Sequence, residues 1–243
     1  MRTGAVLWAM AGCGAGGDGG KPSVGRLVRA SRNENPGVLP PHAHAYGKSY
    51  AEWGAAWWTW LSALPTDENP LFDTADCSAG QSGHVWFLGG KFCTTNCAQV
   101  QTVNRHCTVP AGTALFFPIL NTTDGAEASL DIARSLVHQI ITTATAMSAE
   151  IDGQPVQGLE PLNGPYYVGV SRSPVFSLTF PDNNIFGGAA AGVPAGTYPD
   201  FVTAGIYILH APLSPGEHKI HFRGTLTIFP FSLDITYHIT VTP

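Results

Sequence analysis

The chain has 243 residues, with 12 Lys and Arg against 17 Asp and Glu, and a formal net charge of −5. This balance argues against a nucleic-acid-binding surface, which requires clustered basic side chains. Charged residues make up only 12% of the chain, while Gly and Pro number 28 and 19; this composition is typical of exported β-rich domains and argues against long solvent-facing helices.

The start of the chain has the pattern of an export signal. Arg2 precedes an apolar run, and small residues lead up to Cys13. The pattern predicts a signal with a lipid-attachment cysteine over residues 1–13 and a flexible, glycine-rich tether over 14–40. We therefore expect an exported lipoprotein that is anchored to a membrane through Cys13 and is otherwise periplasmic or extracellular. An ordinary cleaved secretory signal is the alternative.

Residues 41–243 are predicted to form a single domain, because their number lies in the usual range for one domain. Its first element is a helix over 49–64, in which aromatic residues and leucines recur at spacings of three and four. Ser49 and Glu52 have the spacing of a capping box. The spacing favours indoles that pack into the core; Trp58 alone lies off this stripe and is the candidate for stacking on a sugar ring.

From residue 85 onward, short apolar runs bounded by turn residues predict β-strands. The runs are Val85–Leu88, Ala114–Leu120, Tyr166–Val170, Val175–Phe180, Ile206–His210, Lys219–Phe229 and Ser232–Val241. A helix over 126–147, marked by one apolar stripe, is predicted to interrupt them, and Ile151–Gln154 is predicted to form a tight hairpin turn.

The last two runs predict a β-hairpin that is buried on one face. Pairing Phe222 with Ile239 places apolar side chains on one face and polar side chains on the other, as one-sided burial requires. The predicted fold is all-β with minor α. It is an antiparallel β-sandwich, jelly-roll or immunoglobulin-like, with an N-terminal aromatic helix and one inserted helix.

Once Cys13 is assigned to lipid attachment or to the discarded signal, four cysteines remain. In an oxidising compartment they are expected to form two disulfides, and three connectivities are open. The four are Cys77, Cys93, Cys97 and Cys107. A zinc site with His84 or His106 as further ligands is the alternative, although export makes it less favourable.

Three motifs stand out in the folded body: WGAAWWTW over Trp53–Trp60, VWFL over Val85–Leu88, and CTVPAGTALFFP over Cys107–Pro118. In these segments the chain resembles exported bacterial proteins of uncharacterised function. The resemblance spans most of the folded body. It implies no catalytic residues, and so it transfers no activity.

Polar residues lie among turn residues over 67–106, and loops held by a rigid scaffold commonly carry function. This region is therefore the predicted site. The ligand-binding candidates, for a glycan or another small molecule, are Trp58, Trp86, Arg105 and His106. The sequence contains none of the familiar hydrolase, metalloprotease or phosphate-loop signatures.

These considerations predict an exported β-sandwich lipoprotein that acts as a binding or interaction module for glycans or envelope partners. The alternative is a secreted hydrolase acting on an ester, lactone or glycoside. Its catalytic candidates are Asp73 and Asp76 as a carboxylate pair acting on a glycosidic bond or, alternatively, His84 beside one of these carboxylates to activate water on an ester or lactone. A purely structural envelope protein is a third interpretation.

No cofactor is expected, with calcium as the one alternative. A run of three polar residues offers oxygen atoms of the kind that calcium binds, although an Asn-rich turn explains the run equally well. The three are Asp182, Asn183 and Asn184.

Overall fold

The computed structural model describes residues 35–72, 76–93, 97–125, 129–160, 164–169, 172–228 and 230–243. The predicted signal with Cys13, most of the predicted tether, and Asp73 lie outside these residues. The described part of the chain is mostly β with two α-helices, which confirms the predicted fold class.

The described residues form two α-helices and ten strands. The helices are α1 (Tyr50–Ser62) and α2 (Leu130–Ile141). The strands are β1 (Val85–Phe87), β2 (Val100–Pro110), β3 (Ala114–Gly125), β4 (Ala144–Ile151), β5 (Gln154–Pro155), β6 (Tyr167–Val168), β7 (Phe176–Phe180), β8 (Gly196–His210), β9 (Gly216–Leu226) and β10 (Phe231–Thr242). Neither helix is long and apolar enough to cross a membrane.

The strands form two five-stranded sheets that pack against each other. One has the order β1-β3-β8-β6, with β7 also pairing with β8, and the other has the order β2-β10-β9-β4-β5. Most neighbours are antiparallel, as predicted, but β1 pairs with β3 and β2 pairs with β10 in parallel. Between the sheets, the rings of Phe117 and Phe222 stack with centroids 5.1 Å apart.

The centre of the first sheet is buried on both faces. Every residue of Ala114–Leu120 and of 202–210 is buried. Phe117 faces the other sheet, whereas its neighbour Phe116 contacts Tyr50 of α1, with ring centroids 6.2 Å apart. Both helices pack on β3 and β8. We call this sheet (β1, β3, β6, β7, β8) the covered sheet, and burial on two faces explains its continuous apolar runs.

The second sheet is buried on one face only. In β2 and β10, buried residues alternate with partly or fully exposed ones. Successive side chains of a strand point to opposite faces, so this alternation places one face against the core and the other in solvent. We call this sheet (β2, β4, β5, β9, β10) the open sheet and its solvent-facing side the outer face.

Helix α1 forms where the sequence predicts it. The Ser49 side chain accepts a hydrogen bond from the Glu52 N–H, and the Glu52 carboxylate accepts one from the Ser49 N–H at 2.7 Å, which completes the capping box. Trp57 Nε1 donates to the Leu88 carbonyl at 3.0 Å. The indole thereby fixes the helix to the end of β1.

The second predicted helix is too long. It ends at Ile141 rather than at residue 147, because Ala144–Ile151 forms β4 and pairs with β9. Apolar spacing over four residues fits either a helix or a strand, and here the ladder hydrogen bonds to β9 decide the outcome.

Two further features of the open sheet differ from expectation. Strand β2, which lies in a region expected to be loop, has polar residues at its outward positions and no continuous apolar run. In the β9–β10 hairpin, Phe222 pairs with Ile235 and not with Ile239. This shift is an even number of residues, so the predicted buried and exposed faces are preserved.

The two disulfides are Cys77–Cys107 and Cys93–Cys97, with sequence separations of 30 and 4. The first ties the turn after residue 76 to β2. Both confirm the predicted disulfides, and they leave none of these four thiols to bind zinc. Such bonds are compatible with a chain that folds in an oxidising compartment.

Candidate functional site

The two tryptophans predicted to face a ligand are buried. Trp58 is 8% exposed and Trp86 is 9% exposed. The Trp58 ring meets the Trp57 ring edge-on, with centroids 5.2 Å apart. Neither indole presents a face to solvent, so the expected stacking platform is not formed by these residues.

Arg105 is buried as well. It donates hydrogen bonds from one guanidinium nitrogen to the Gly89 carbonyl and to the Tyr237 hydroxyl, both at 2.8 Å. The guanidinium also lies over the Tyr237 ring, 5.4 Å from its centroid. These contacts hold the segment after β1 against β2 and β10, and they account for the charge without a ligand.

The predicted catalytic residues are not assembled among the described residues. Asp76 and His84 are exposed, and no hydrogen bond or ion pair joins their side chains. Asp76 Oδ1 instead accepts from the Ser78 N–H at 2.9 Å and so stabilises its own turn. Asp73 lies outside the described residues.

The predicted calcium ligands form a loop. Asn184 is 1% exposed, and both atoms of its side-chain amide bond backbone groups within 181–193. Asn183 donates to Asp67 at 3.2 Å, whereas Asp182 is exposed. The described part of the chain also contains no group of three or more His, Cys, Asp or Glu side chains suited to a metal ion.

A cleft that no sequence pattern predicts lies where the β4–β5 turn meets the loop before β9. Its volume is about 330 Å³, within the range of small-molecule sites. Its apolar wall is formed by proline and aliphatic side chains, including Pro36, Val38, Ile151, Pro155, Pro212 and Leu213. Its polar side includes Asp152, His210, Ser214 and His218.

An acid–base pair is fixed at the edge of this cleft. His218 Nδ1 lies 2.6 Å from Asp152 Oδ2, and Asp152 Oδ1 accepts from the Lys219 N–H at 2.8 Å. On the other side of the ring, His218 Nε2 lies 2.8 Å from the Ser214 carbonyl oxygen. Both ring nitrogens therefore face acceptors, and only the imidazolium form donates to both.

The electrostatics of the pair agree with this geometry. Burial acts to lower the pKa of His218, but the Asp152 carboxylate and the Ser214 carbonyl outweigh burial and raise it. For Asp152, burial acts to raise the pKa, but hydrogen bonds from His218 and from the Lys219 N–H lower it below its usual value. Each partner thus favours the charged form of the other.

The turn that carries the carboxylate has a defined local cause. Asp152 and Gly153 connect β4 to β5 with φ angles of 50° and 77°. An Asp-Gly pair suits this left-handed hairpin turn, because Gly adopts positive φ freely and Asp tolerates it better than most residues. The dipeptide that reverses the chain therefore also places the carboxylate beside His218.

His210 closes the inner end of the cleft. It is 7% exposed, and burial lowers its pKa, so its neutral form is favoured. A side chain at Gly37 would collide with the imidazole, and Gly37 has a φ of 78°. Glycine is therefore needed at position 37, both to avoid this collision and to adopt the positive φ.

Ser214 stands next to the acid–base pair. Its Oγ is 3.4 Å from His218 Nε2, and His218 Nδ1 contacts Asp152. The three side chains therefore have the Ser–His–Asp order of contacts that hydrolytic triads have. The shorter contact of Nε2 is with the Ser214 carbonyl. An Nε2–H that donates to this carbonyl has no lone pair with which to take the hydroxyl proton.

A second, shallower groove runs beside α1 and has a volume of about 410 Å³. It borders the predicted 67–106 region and is lined mainly by small and apolar side chains, including Trp60, Leu64 and Phe87, with Ser82 at its edge. Its lining includes no titratable side chain, so it offers no acid–base chemistry.

Together these features define a disulfide-bonded β-sandwich with two helices and a ligand-sized cleft beside the β4–β5 turn. No protein-family model matches the sequence, and no curated protein matches it. Among solved structures, PbICP-C in complex with falcipain-2 matches with a TM-score of 0.24 and 13% identity, covering 66% of this chain and 100% of that chain. A TM-score this low carries no argument about fold or function.

Proposed function

We propose that this chain is an exported β-sandwich binding module whose cleft binds a polyhydroxylated ligand such as the end of a glycan. The observation that carries the proposal is the Asp152 carboxylate, held at the edge of a cleft with a proline-rich and aliphatic wall. The Asp152 side chain is 43% exposed. Each of its oxygens accepts one protein hydrogen bond and retains capacity to accept from ligand hydroxyls.

The wall and the carboxylate suit the two surfaces of a sugar. Carbon-bound hydrogens of a sugar ring pack on apolar side chains, while its hydroxyls donate to charged acceptors. His218 and the Lys219 N–H hold Asp152 in place before a ligand arrives. A preorganised acceptor loses less conformational entropy on binding than a mobile one.

Binding is favoured over hydrolysis because of His218. A general base needs a free lone pair, and both nitrogens of this ring are directed at protein acceptors. The same contacts that make His218 a poor base make it an effective support for Asp152.

The test is a titration of isotopically labelled protein with glucose, galactose and N-acetylglucosamine, followed by amide NMR. We expect shifts confined to the backbone around the cleft, and affinity weakened on the order of tenfold or more in Asp152→Asn, since hydrogen bonds to charged groups are the stronger ones. Asp131→Asn, which changes an exposed carboxylate on α2, is the matched control. Shifts that avoid the cleft, or none with any sugar, would contradict the proposal.

A hydrolase acting on an ester, lactone or glycoside is the second candidate, and the position of Ser214 favours it. Ser214→Ala removes the hydroxyl and leaves the backbone carbonyl contact to His218. Hydrolysis of p-nitrophenyl acetate and γ-butyrolactone should proceed at the same rate in the wild type and in this variant if the cleft only binds. A turnover that the wild type shows and Ser214→Ala lacks would establish the hydrolase instead.

Export and lipid attachment at Cys13 are part of the proposal. The apolar run before Cys13 and the glycine-rich segment after it support lipid attachment, and the two disulfides support export. Intact-mass analysis of protein expressed in a bacterial host should find a mature chain that begins at a diacylated Cys13. Cys13→Ser should move the protein out of the membrane fraction; an unmodified wild-type chain with a free Cys13 thiol would refute this part.

A further inference from the structure

The outer face of the open sheet carries three basic side chains in one row of the ladder. His238 on β10 is the register partner of His106 on β2 and of Lys219 on β9. The rings of His106 and His238 stack, with centroids 4.7 Å apart and planes inclined by 14°. We call His106, His238 and Lys219 the basic row.

The basic row has no polar partner within the described residues, whereas its acidic neighbours do. Asp234 binds both His221 at 2.7 Å and Arg223 at 2.9 Å. Glu217 accepts a hydrogen bond from the Thr240 hydroxyl at 2.8 Å. The carboxylates of Asp234 and Glu217 therefore bind side chains of the neighbouring strand and not those of the basic row. The basic row is left to interact with solvent or a ligand.

One carboxylate continues the row beyond Lys219: Asp152 donates its backbone N–H to the Lys219 carbonyl, and its side chain is held by the Lys219 N–H and by His218. The other charged groups lie beside the row. Glu150 on β4 is the register partner of His221, on the far side of β9 from the histidine pair. On the opposite edge, Cys77 Sγ is 3.8 Å from the His106 carbonyl, so the exposed Asp76 lies in the adjoining turn.

The positions directly above and below the stacked histidines are uncharged. They are Asn104 and Thr108 on β2, and Thr236 and Thr240 on β10. The row thus combines concentrated positive charge, when the histidines are protonated, with a surrounding set of hydroxyl and amide groups.

We propose that the basic row binds the carboxylate or sulfate groups of an acidic glycan, with the flanking threonines and Asn104 binding its hydroxyls. Charge-assisted hydrogen bonds from imidazolium and ammonium groups are the strongest contacts available to such anions. The face is a sheet surface with polar groups at regular spacing, which suits an extended polymer. This site adjoins the cleft at Lys219, whose N–H binds Asp152, but it lies on the outer face and requires no ligand in the cleft.

A polar, hydroxyl-lined face favours a glycan over a lipid surface. Membrane binding draws on apolar side chains as well as on charge. Val100, 58% exposed, is an exposed apolar side chain of β2, but it lies at the end of the strand, away from the row.

The stacked pair couples anion binding to protons. Protonating both rings brings two like charges close together, and an anion over the pair offsets their repulsion. Binding of an anion therefore favours the imidazolium forms of the pair, and we expect the affinity to rise with falling pH.

The experiment measures binding of trigalacturonic acid by calorimetry at pH 5.5 and pH 7.5, with neutral maltotriose as the uncharged probe. We expect binding on the order of tenfold tighter at pH 5.5, and no binding of maltotriose at this face by amide NMR. His238→Asn should weaken binding at pH 5.5 and reduce the pH dependence, because His106 is then the one imidazole left in the row. Lys219→Gln should weaken binding several-fold at both pH values, by roughly the contribution of one exposed charge, and keep the pH dependence.

His42→Asn, which changes an exposed histidine before α1, is the matched control and should bind as the wild type does. Equal affinity of the wild type and His238→Asn at pH 5.5 would overturn the proposal. Equal affinity for inorganic phosphate, or binding to phosphatidylserine vesicles without binding to the trisaccharide, would overturn the glycan assignment.

The result does not depend on the cleft. Ser214→Ala, which changes the cleft at a residue without contact to the basic row, should leave trigalacturonic acid binding unchanged, and His238→Asn should leave the effects of neutral sugars at the cleft unchanged. Either site can therefore fail while the other stands.

Discussion

The covered sheet and the open sheet each contain five strands, yet they differ in how many faces are buried. In the covered sheet, all residues of 202–210 are buried, because α1 and α2 pack on β3 and β8 while the open sheet lies on the inner side. In the open sheet, every second residue of β10 reaches the surface.

The covered sheet therefore serves stability, whereas the open sheet also offers positions for recognition. A side chain in the centre of the covered sheet is committed to packing, whichever face it points to. The open sheet has a full set of positions that do not contribute to the core, and both proposed sites use its strands or turns. The cleft takes Asp152 from the turn after β4 and His218 from β9, and the basic row spans β2, β10 and β9.

The largest effect is expected from alanine substitutions at four consecutive positions of each sheet. In β8, all four should lower the free energy of unfolding by about 2–5 kcal/mol, because each removes a buried side chain. In β10, only Ile235 and Tyr237 should do so. The β8 positions are Ile206, Tyr207, Ile208 and Leu209, and the β10 positions are 235–238.

Urea unfolding of these eight variants measures the pattern. The difference in burial between the sheets would be contradicted if β8 showed the same alternation as β10. It would also be contradicted if Thr236→Ala and His238→Ala destabilised the protein as much as Tyr237→Ala.

The next effect concerns the disulfide that ties β2 to the rest of the fold. Replacing Cys77 and Cys107 by alanine should lower the free energy of unfolding by about 3–4 kcal/mol, because the bond closes a long loop; replacing Cys93 and Cys97 should cost about 2 kcal/mol. The two double variants are matched controls for each other. Similar losses in urea unfolding would show that loop length does not govern these bonds.

A smaller effect is expected at the His218–Asp152 pair. The pKa of His218 is raised in the fold, so its contribution is present below its usual value and is lost as pH rises through the raised value. The pKa of Asp152 is lowered, so its contribution is lost as pH falls through the lowered value. The pair should therefore stabilise the fold most between about pH 4 and pH 6.5.

Asp152→Asn tests this window, since Asn also tolerates a positive φ and the turn should persist. We expect a loss of about 0.5–1 kcal/mol near pH 5.5, because the pair is partly exposed, and a smaller loss at pH 9. Thermal unfolding at several pH values measures it. A difference between the wild type and the variant that did not change with pH would contradict the assigned protonation states.

The smallest effect is expected for His238→Asn on the outer face, which should change the free energy of unfolding by less than about 0.5 kcal/mol. Together with the binding experiment, this variant distinguishes a residue used in recognition from one used in packing. A large loss of stability would show that His238 contributes to packing.

Much of the fold could be predicted from local signals. Helix α1 carries both a capping box and an apolar stripe, and these agree with each other. The strands of the covered sheet appear as continuous apolar runs. The predicted helix over 126–147 was wrong at its end because β4 is stabilised by pairing with β9, a partner that its own sequence does not reveal.

The open sheet was harder to predict, because the contacts that stabilise its strands join residues far apart in the sequence. Strand β2 alternates polar and buried residues, and it contains the buried Arg105, whose guanidinium finds its hydrogen-bond acceptors on Gly89 and Tyr237 only in the folded protein. The β9–β10 pairing conserved its faces despite the wrong register, because an even shift leaves the alternation unchanged.

The site was least predictable because its residues come from distant parts of the chain. The turn over Ile151–Gln154 is predictable from its Asp-Gly pair, but Asp152 and His218 are 66 positions apart and meet only through the pairing of β4 with β9. His106 was a ligand candidate from the start. Its partner His238 becomes visible only when β2 and β10 are known to be parallel neighbours.

The parallel pairing of β2 with β10 also bears on the order of folding. Within the open sheet, β2 has β10 as its neighbour, and Arg105 and Tyr237 are 132 positions apart. Such a long-range contact forms slowly, because the intervening chain must first be ordered. Strand β2 is far from its neighbour in the sequence, while the Cys77–Cys107 bond spans only 30 positions. We expect this bond to form early and to hold β2 near its final position until β10 completes the sheet.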